Sequence, residues 1–236
     1  MLIDMLGDFM RKIAYKLRRK LKPSTIVIDG IRVTAELDYI PERIRKELYR
    51  KNYEKGELIL ARKTLRPDDR VLEVGAGTGF ISLACAKICG PERVLSYEPN
   101  PAMKRVIEKN YALNGLRPNL RNKVLAVDTG EVEFFFSDNV LSSSLIDRKH
   151  GGATRVQADA IADVVQEHDP TAIVMDVEGA EIELLRNCRL TNVAKIVVEM
   201  HPHIVGQDKI DSLSSYLVDA GFTLEESLGK RYLFVR

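Results

Sequence analysis

An α/β fold built on a doubly wound, mostly parallel sheet of seven strands is predicted by three observations. Short apolar runs alternate with helical patterns from Val71 onward, the order that buries parallel strands between helices. The run Val71–Val74 ends in Gly75-Ala76-Gly77-Thr78-Gly79 and passes at once into a helical pattern. Glycine permits the sharp turn and close ligand approach that such a junction needs. Finally, the chain closes on two strands, 222–227 and 231–235, joined by a short turn around Gly229. That turn makes the last strand antiparallel to its neighbour.

The elements follow in order. Leu2, Leu6, Phe9, Ile13, Leu17 and Leu21 recur at helical spacing, with Met5 and Met10 beside them. Arg11, Lys12, Lys16, Arg18, Arg19 and Lys20 fill the other positions. The result is a basic amphipathic helix over 2–21, suited to an anionic membrane surface or to docking on its own domain or a second subunit. Segments 25–28 and 31–37 alternate around Asp29-Gly30, the signature of a type I′ hairpin. Pro41 opens one long helical stretch that runs to about Arg66, where Pro67 stops it. Residues 1–66 thus form a basic helical and hairpin extension, and 67–236 the cofactor-binding domain. Its strands are expected at 71–74, 94–98, 123–127, 172–176 and 194–199. Helices are expected at 79–89, 101–113, 179–187 and 209–220. Between the third and fourth strands, 131–136 reads as an additional strand, with loops at Ser142-Ser143-Ser144 and Gly151-Gly152.

Composition narrows the function classes. The chain is 45% hydrophobic and 30% charged, which supports a packed core rather than disorder. No apolar run is long enough to cross a bilayer, and the N-terminus lacks a secretory pattern. Cys85, Cys89 and Cys188 form no C-x-x-C pair. They read as buried apolar residues of a reducing compartment, so a cytoplasmic protein is expected, with a peripheral membrane placement left open. The net charge of +2 is uneven: residues 1–66 hold 17 Lys/Arg against 9 Asp/Glu, and the remainder 19 against 25. The basic third points to an anionic partner.

The chemistry is concentrated at strand ends. The loop is G-x-G-x-G, with Phe80 where a dinucleotide loop would place its third glycine. This disfavours a nicotinamide cofactor. With Glu73 two residues ahead, the segment resembles motif I of the S-adenosylmethionine (AdoMet) methyltransferases. Expected cofactor contacts are Glu73, Gly75, Ala76, Gly77, Gly79 and Phe80. Glu98, in Tyr97-Glu98-Pro99-Asn100, follows Gly79 by 19 residues, near the offset at which an acid meets ribose hydroxyls. Pro99 and Asn100 complete that corner. Asp128, at the end of the expected third strand, is either an adenine contact or a turn residue.

Ligands in open sheets bind where strand order reverses, here between the first and fourth strands. The fourth strand runs Ala172-Ile173-Val174-Met175 into Asp176-Val177-Glu178-Gly179-Ala180-Glu181. A buried strand ending in acids carries a desolvation cost unless those acids have partners, and a sulfonium or an acceptor hydroxyl would be one. Asp176 is therefore placed against the methyl donor, while Glu181 is read as a helix-start acid. Candidate bases are Asp176, Glu178, Glu199, His201 and His203. Asp176, Glu199 and His201 could also meet at a divalent metal, although no metal is expected.

Several fragments together resemble the FkbM-type methyltransferases: Glu73-Val-Gly-Ala-Gly, Tyr97-Glu-Pro-Asn, Asn110-Tyr-Ala-Leu-Asn114, Asp176-Val-Glu-Gly-Ala-Glu181 and Glu199-Met-His201. The Tyr53-Glu54 pair is similar to another recurring pair of that family. The resemblance covers roughly residues 50–205, and the D-V-E-G-A-E string is its most specific part. Motif I departs from it, with Glu73 and Ala76-Gly77-Thr78 as in generic methyltransferases. The resemblance implies the class I AdoMet methyltransferase fold, AdoMet as cofactor and O-methylation, commonly of a sugar, glycolipid or other small-molecule hydroxyl. Two alternatives stay open. One is an RNA methyltransferase using the basic N-terminal third, disfavoured by the scarcity of aromatic residues for base stacking. The other is a non-catalytic AdoMet-binding module.

Overall fold

The computed structural model of the chain describes residues 2–137 and 151–236. Helix α1 (Leu2–Leu21) precedes a hairpin of β1 (Thr25–Ile28) and β2 (Ile31–Thr34). Helices α2 (Glu42–Arg50) and α3 (Lys55–Thr64) follow. The alternating part runs β3 (Val71–Val74), α4 (Phe80–Cys89), β4 (Val94–Tyr97), α5 (Pro101–Leu113) and β5 (Asn119–Arg121). Then come β6 (Val124–Ala126), β7 (Gly130–Ser137), β8 (Gly151–Ala160) and α6 (Ile161–His168). The chain continues through β9 (Ala172–Met175), α7 (Glu181–Arg186), β10 (Lys195–Glu199), α8 (Pro202–Val205) and α9 (Gln207–Asp219), and ends on β11 (Thr223–Leu228) and β12 (Arg231–Val235).

The main sheet has seven strands in the order β11-β12-β10-β9-β3-β4-β5. All neighbours are parallel except those of β12, which is antiparallel to both β10 and β11. The chain moves outward from β3 through β4 to β5, then returns to β9 on the other side of β3. Strand order therefore reverses between β3 and β9, where the sequence places it. Because side chains alternate across a strand, the sheet separates two apolar clusters. Val71, Ala172, Val174 and Val197 face the cluster shared with the hairpin and α2–α5. Leu72, Val74, Ile173, Met175, Ile196 and Val198 face the other, with α6, α7 and α9.

Four expectations are corrected. The single helix over 41–66 is two helices. Lys51 (φ 58°) ends α2 and Glu54 (φ 45°) opens α3, both left-handed. Between them Tyr53 turns inward, with its ring centroid 6.0 Å from that of Phe80. Neither Gly nor Pro marks residues 51–55, so packing alone makes the break. The third strand of the main sheet is 119–121, not 123–127. The chain turns at Asn122, whose side-chain amide donates to the Glu98 carbonyl at 2.6 Å. Val124 and Ala126 then bury themselves against Phe134 and Ala158, in a separate sheet ordered β6-β8-β7. Gly151 and Gly152, expected as loop, pair with Ser137 and Phe136 in the β7–β8 ladder, which needs only backbone. Helix α7 starts at Glu181 rather than 179, because Glu178 (φ 32°) and Gly179 (φ 105°) lie outside the helical region. Ser142, Ser143 and Ser144 lie outside the described residues.

One side chain ties the N-terminal hairpin to the glycine loop. Asn110, 1% exposed, accepts from the Thr34 N–H at 2.7 Å and donates to the Thr78 carbonyl at 2.8 Å. Removing it strands two buried backbone groups, at a cost of about 1–3 kcal/mol. Asn110→Ala is expected to lower stability by about that amount in chemical denaturation, whereas Asn114→Ala, whose bonds to Arg32 are exposed, costs less.

Candidate active site

The carboxyl ends of β3, β4, β9 and β10 open into one cavity of about 350 Å³. Its floor is the glycine loop. Gly75 and Ala76 donate N–H bonds to the Tyr97 carbonyl at 3.0 Å, and Asp176 N donates to the Val74 carbonyl at 2.9 Å. The loop is thus fastened to strands on both sides. Gly75 has φ +88°, and a Cβ there would lie 1.9 Å from the Asp176 carbonyl oxygen. No other residue fits.

The sequence-predicted residues fall into two groups. Gly75, Gly77, Glu98, Pro99, Asp176, Glu178 and Glu199 line the cavity. The others stand behind it or away from it. Glu73 is 2% exposed and accepts from the Ser82 hydroxyl, so it holds α4 to β3. Burial raises its pKa, partly offset by Ser82 and Ser96. Phe80 is fully buried beneath Tyr53. Asn100 caps α5 through the Ala102 N–H at 2.9 Å. Asp128 is exposed on the turn after β6 and does not line the cavity; Val124 and Leu125 do. Glu98 accepts from Gly77 N at 2.8 Å and Asn100 N at 2.9 Å. Burial pushes its pKa up to about 7, against the pull of those two N–H groups.

The acidic wall is densest at the switch point. Asp176 keeps Oδ1 buried without a hydrogen-bond partner, while the rest of its carboxyl faces the cavity. Burial raises its pKa, the nearby imidazole of His201 lowers it, and Glu178 raises it again. His201 is 4% exposed at its side chain. Its Nε2 lies 3.5 Å from Asp176 Oδ1, 3.6 Å from Glu178 Oε2 and 3.7 Å from Glu199 Oε1. Burial opposes protonation of this ring, but Glu181, Asp176 and Glu178 outweigh it and raise its pKa. Glu181 is structural: it accepts from Gly179 N at 2.8 Å and His201 N at 2.9 Å, locking the turn after β9 to the end of β10. His203 is exposed, with its ring centroid 5.7 Å from that of His201, and does not line the cavity.

Sequence reading missed Glu57 and Arg231, and gave the Tyr53-Glu54 pair no place in the site. Arg231 donates to Glu57 Oε1 at 2.8 Å and approaches Glu199 Oε2 at 2.9 Å, joining α3 to β10. Burial and the neighbouring Glu57 raise the Glu199 pKa. Glu57, Asp176 and Glu199 each offer one oxygen, and the three atoms lie within 4.8 Å of one another. This carboxylate set, rather than one including His201, could hold a hard divalent cation. Tyr53 Oη, Glu54 Oε2 and Glu57 Oε2 are also buried without partners. Glu54 precedes α3 in the left-handed conformation and Glu57 lies in its first turn. Left-handed Glu54 and Glu178 both line the cavity, and strained backbone of this kind collects at functional sites.

Glycine floor, acid after the second strand and acid-lined cavity at the switch point define an AdoMet-dependent methyltransferase. Residues 73–231 match the Methyltransferase FkbM domain, and the chain belongs to that family. Curated relatives include a ribosomal protein L11 methyltransferase of Geobacter sulfurreducens, 32% identical over 98 residues, covering 42% of this chain and 32% of the relative. Another is protein-L-isoaspartate O-methyltransferase 1 of Arabidopsis thaliana, 36% identical over 75 residues, covering 31% and 33%. The chain spans about a third of the length of these relatives. Among solved structures, the ribosomal protein L11 methylase of Lactobacillus delbrueckii subsp. bulgaricus aligns with a TM-score of 0.45 at 15% identity, covering 78% and 77%.

AdoMet fits this site: the floor has no room for a Cβ at Gly75, and the walls carry unpartnered buried oxygens. Gly75→Ala is expected to weaken AdoMet binding roughly tenfold or more in calorimetric titration. Gly115→Ala, a left-handed glycine in open space, leaves it unchanged. A second expectation concerns pH. Glu98 moves from 4.5 in the unfolded chain to about 7 in the fold. Between those values the unfolded state has released a proton that the folded state keeps. Stability of the ligand-free protein therefore falls as pH rises through that window, in the same direction as the raised His201. Thermal unfolding at several pH values reads this, and Glu98→Gln flattens the slope.

Proposed function

We propose that the enzyme methylates a hydroxyl of a sugar, glycolipid or other small molecule, with Asp176 facing the acceptor. The observation that carries this reading is the Asp176 carboxyl itself. It stands at the reversal of strand order, half open to the cavity, with Oδ1 buried, 3.5 Å from His201 Nε2 and without a hydrogen bond. When bound, AdoMet supplies an electrophilic methyl group on a sulfonium. Gly75 and Gly77 would lie under it. Glu98 has lone pairs to spare for a diol, since each oxygen accepts only one backbone N–H. Glu73, Ala76, Gly79, Phe80 and Asn100 hold these groups in place from behind.

Asp176 would accept the acceptor's hydroxyl proton, while bound AdoMet would supply the methyl group and leave as the neutral thioether. Burial makes Asp176 a stronger base than an ordinary carboxylate. His201, 3.5 Å away, stabilises the ionised form of Asp176 when its own ring is protonated. Glu178 and Glu199 approach the same Nε2 atom at 3.6 and 3.7 Å, and Glu181 lies 3.6 Å from Nδ1. In-line transfer depends chiefly on positioning, and this network fixes the base. Seven carboxyl groups and two guanidinium groups line the cavity, a lining poor in the positive charge that a polyanion such as RNA needs.

Asp176→Asn is expected to retain AdoMet binding in calorimetric titration and to lower kcat by about 100-fold or more. His201→Gln lowers kcat and shifts the acidic limb of kcat/KM, which lies nearer neutrality than about pH 4. An acceptor panel of hydroxylated sugars, amines, proteins and RNA supplies the decisive comparison. Methyl transfer to amines or RNA alone would overturn the hydroxyl reading.

A further inference from the structure

Helix α1 carries an apolar stripe that no described residue covers. Phe9, Met10, Ile13, Leu17 and Leu21 are exposed by 62, 59, 44, 53 and 68%. They are five of the ten large apolar side chains so exposed among the described residues, which makes the stripe a continuous feature rather than scatter. At about 100° per residue they share an arc of about 120°. The opposite face is taken. Tyr15 packs against the N-terminal core with the Arg50 guanidinium 5.1 Å from its ring centre. Arg18 donates to the Tyr49 carbonyl at 2.8 Å. The helix is therefore fastened to the body with its apolar side outward.

Charge identifies the occupant. Lys12, Lys16 and Lys20, one turn apart and exposed, run along an edge of the stripe. Residues 1–22 hold seven Lys/Arg against two Asp. We infer that α1 seats the enzyme on an anionic bilayer surface, with the stripe at the boundary of head groups and acyl chains and the lysines on lipid phosphates. The helix is too polar to cross: no described helix is long and apolar enough to do so. A second copy fits less well, because two facing stripes would bring their lysine edges together. A nucleic acid would leave the apolar residues unused. Asn52 lines both the crevice between α1 and the body and the main cavity, so the helix is anchored beside the site.

The test is flotation of the full chain with vesicles of phosphatidylcholine containing roughly 30% phosphatidylglycerol, against phosphatidylcholine alone. Binding is expected to the first and not the second, and to weaken with salt. Ile13→Asp with Leu17→Asp, and separately Lys12→Glu with Lys16→Glu, each lower partitioning about tenfold or more. Circular dichroism and AdoMet titration confirm that these variants fold. Three results would overturn the inference: no flotation with anionic vesicles, flotation indifferent to both pairs of substitutions, or a dimer in light scattering that the apolar substitutions dissociate.

Discussion

The site depends on one close approach of two backbones. At Gly75 the chain leaves β3 so near to the end of β9 that a single added carbon would overlap the Asp176 carbonyl. That contact brings the floor of the cofactor pocket and the acidic strand end into one rigid unit. It follows from topology: β3 and β9 are hydrogen-bonded neighbours whose chains depart in opposite directions across the sheet. A crevice opens there, and the glycine keeps it shallow enough for a ligand to reach both strands at once.

A second constraint is electrostatic. Carboxylates from α3, β9 and β10 converge in a partly dry space, where each disfavours ionisation of the others. Arg231 satisfies one oxygen of Glu57 and approaches Glu199, and His201 sits among three further acids. The remaining unpartnered oxygens leave the pocket short of positive charge. A cationic methyl donor suits that deficit, and the same deficit holds proton affinity near the range where a base is useful.

Much of this was legible in the chain. The buried runs at Val71–Val74 and Ala172–Met175, the glycines and the strand-end acids place the floor and Asp176 directly, because parallel strands and tight turns impose local composition. What escaped depended on distant packing. The break at Tyr53 needs Phe80 beneath it, and no local breaker announces it. Asn119–Arg121 is too short and polar to read as a strand until β4 pairs with it, whereas the apolar Val124–Ala126 reads as one and joins the wrong sheet. Glu57 and Arg231 gain meaning only together, and 174 residues separate them.

That separation bears on how the chain matures. Glu57, Asp176 and Glu199 all precede Arg231, and β12 must slot between β10 and β11 to deliver it. Until the hairpin of β11 and β12 joins the sheet, Glu57 and Glu199 lack the guanidinium that pairs them, so insertion of β12 is the step that completes the acidic wall.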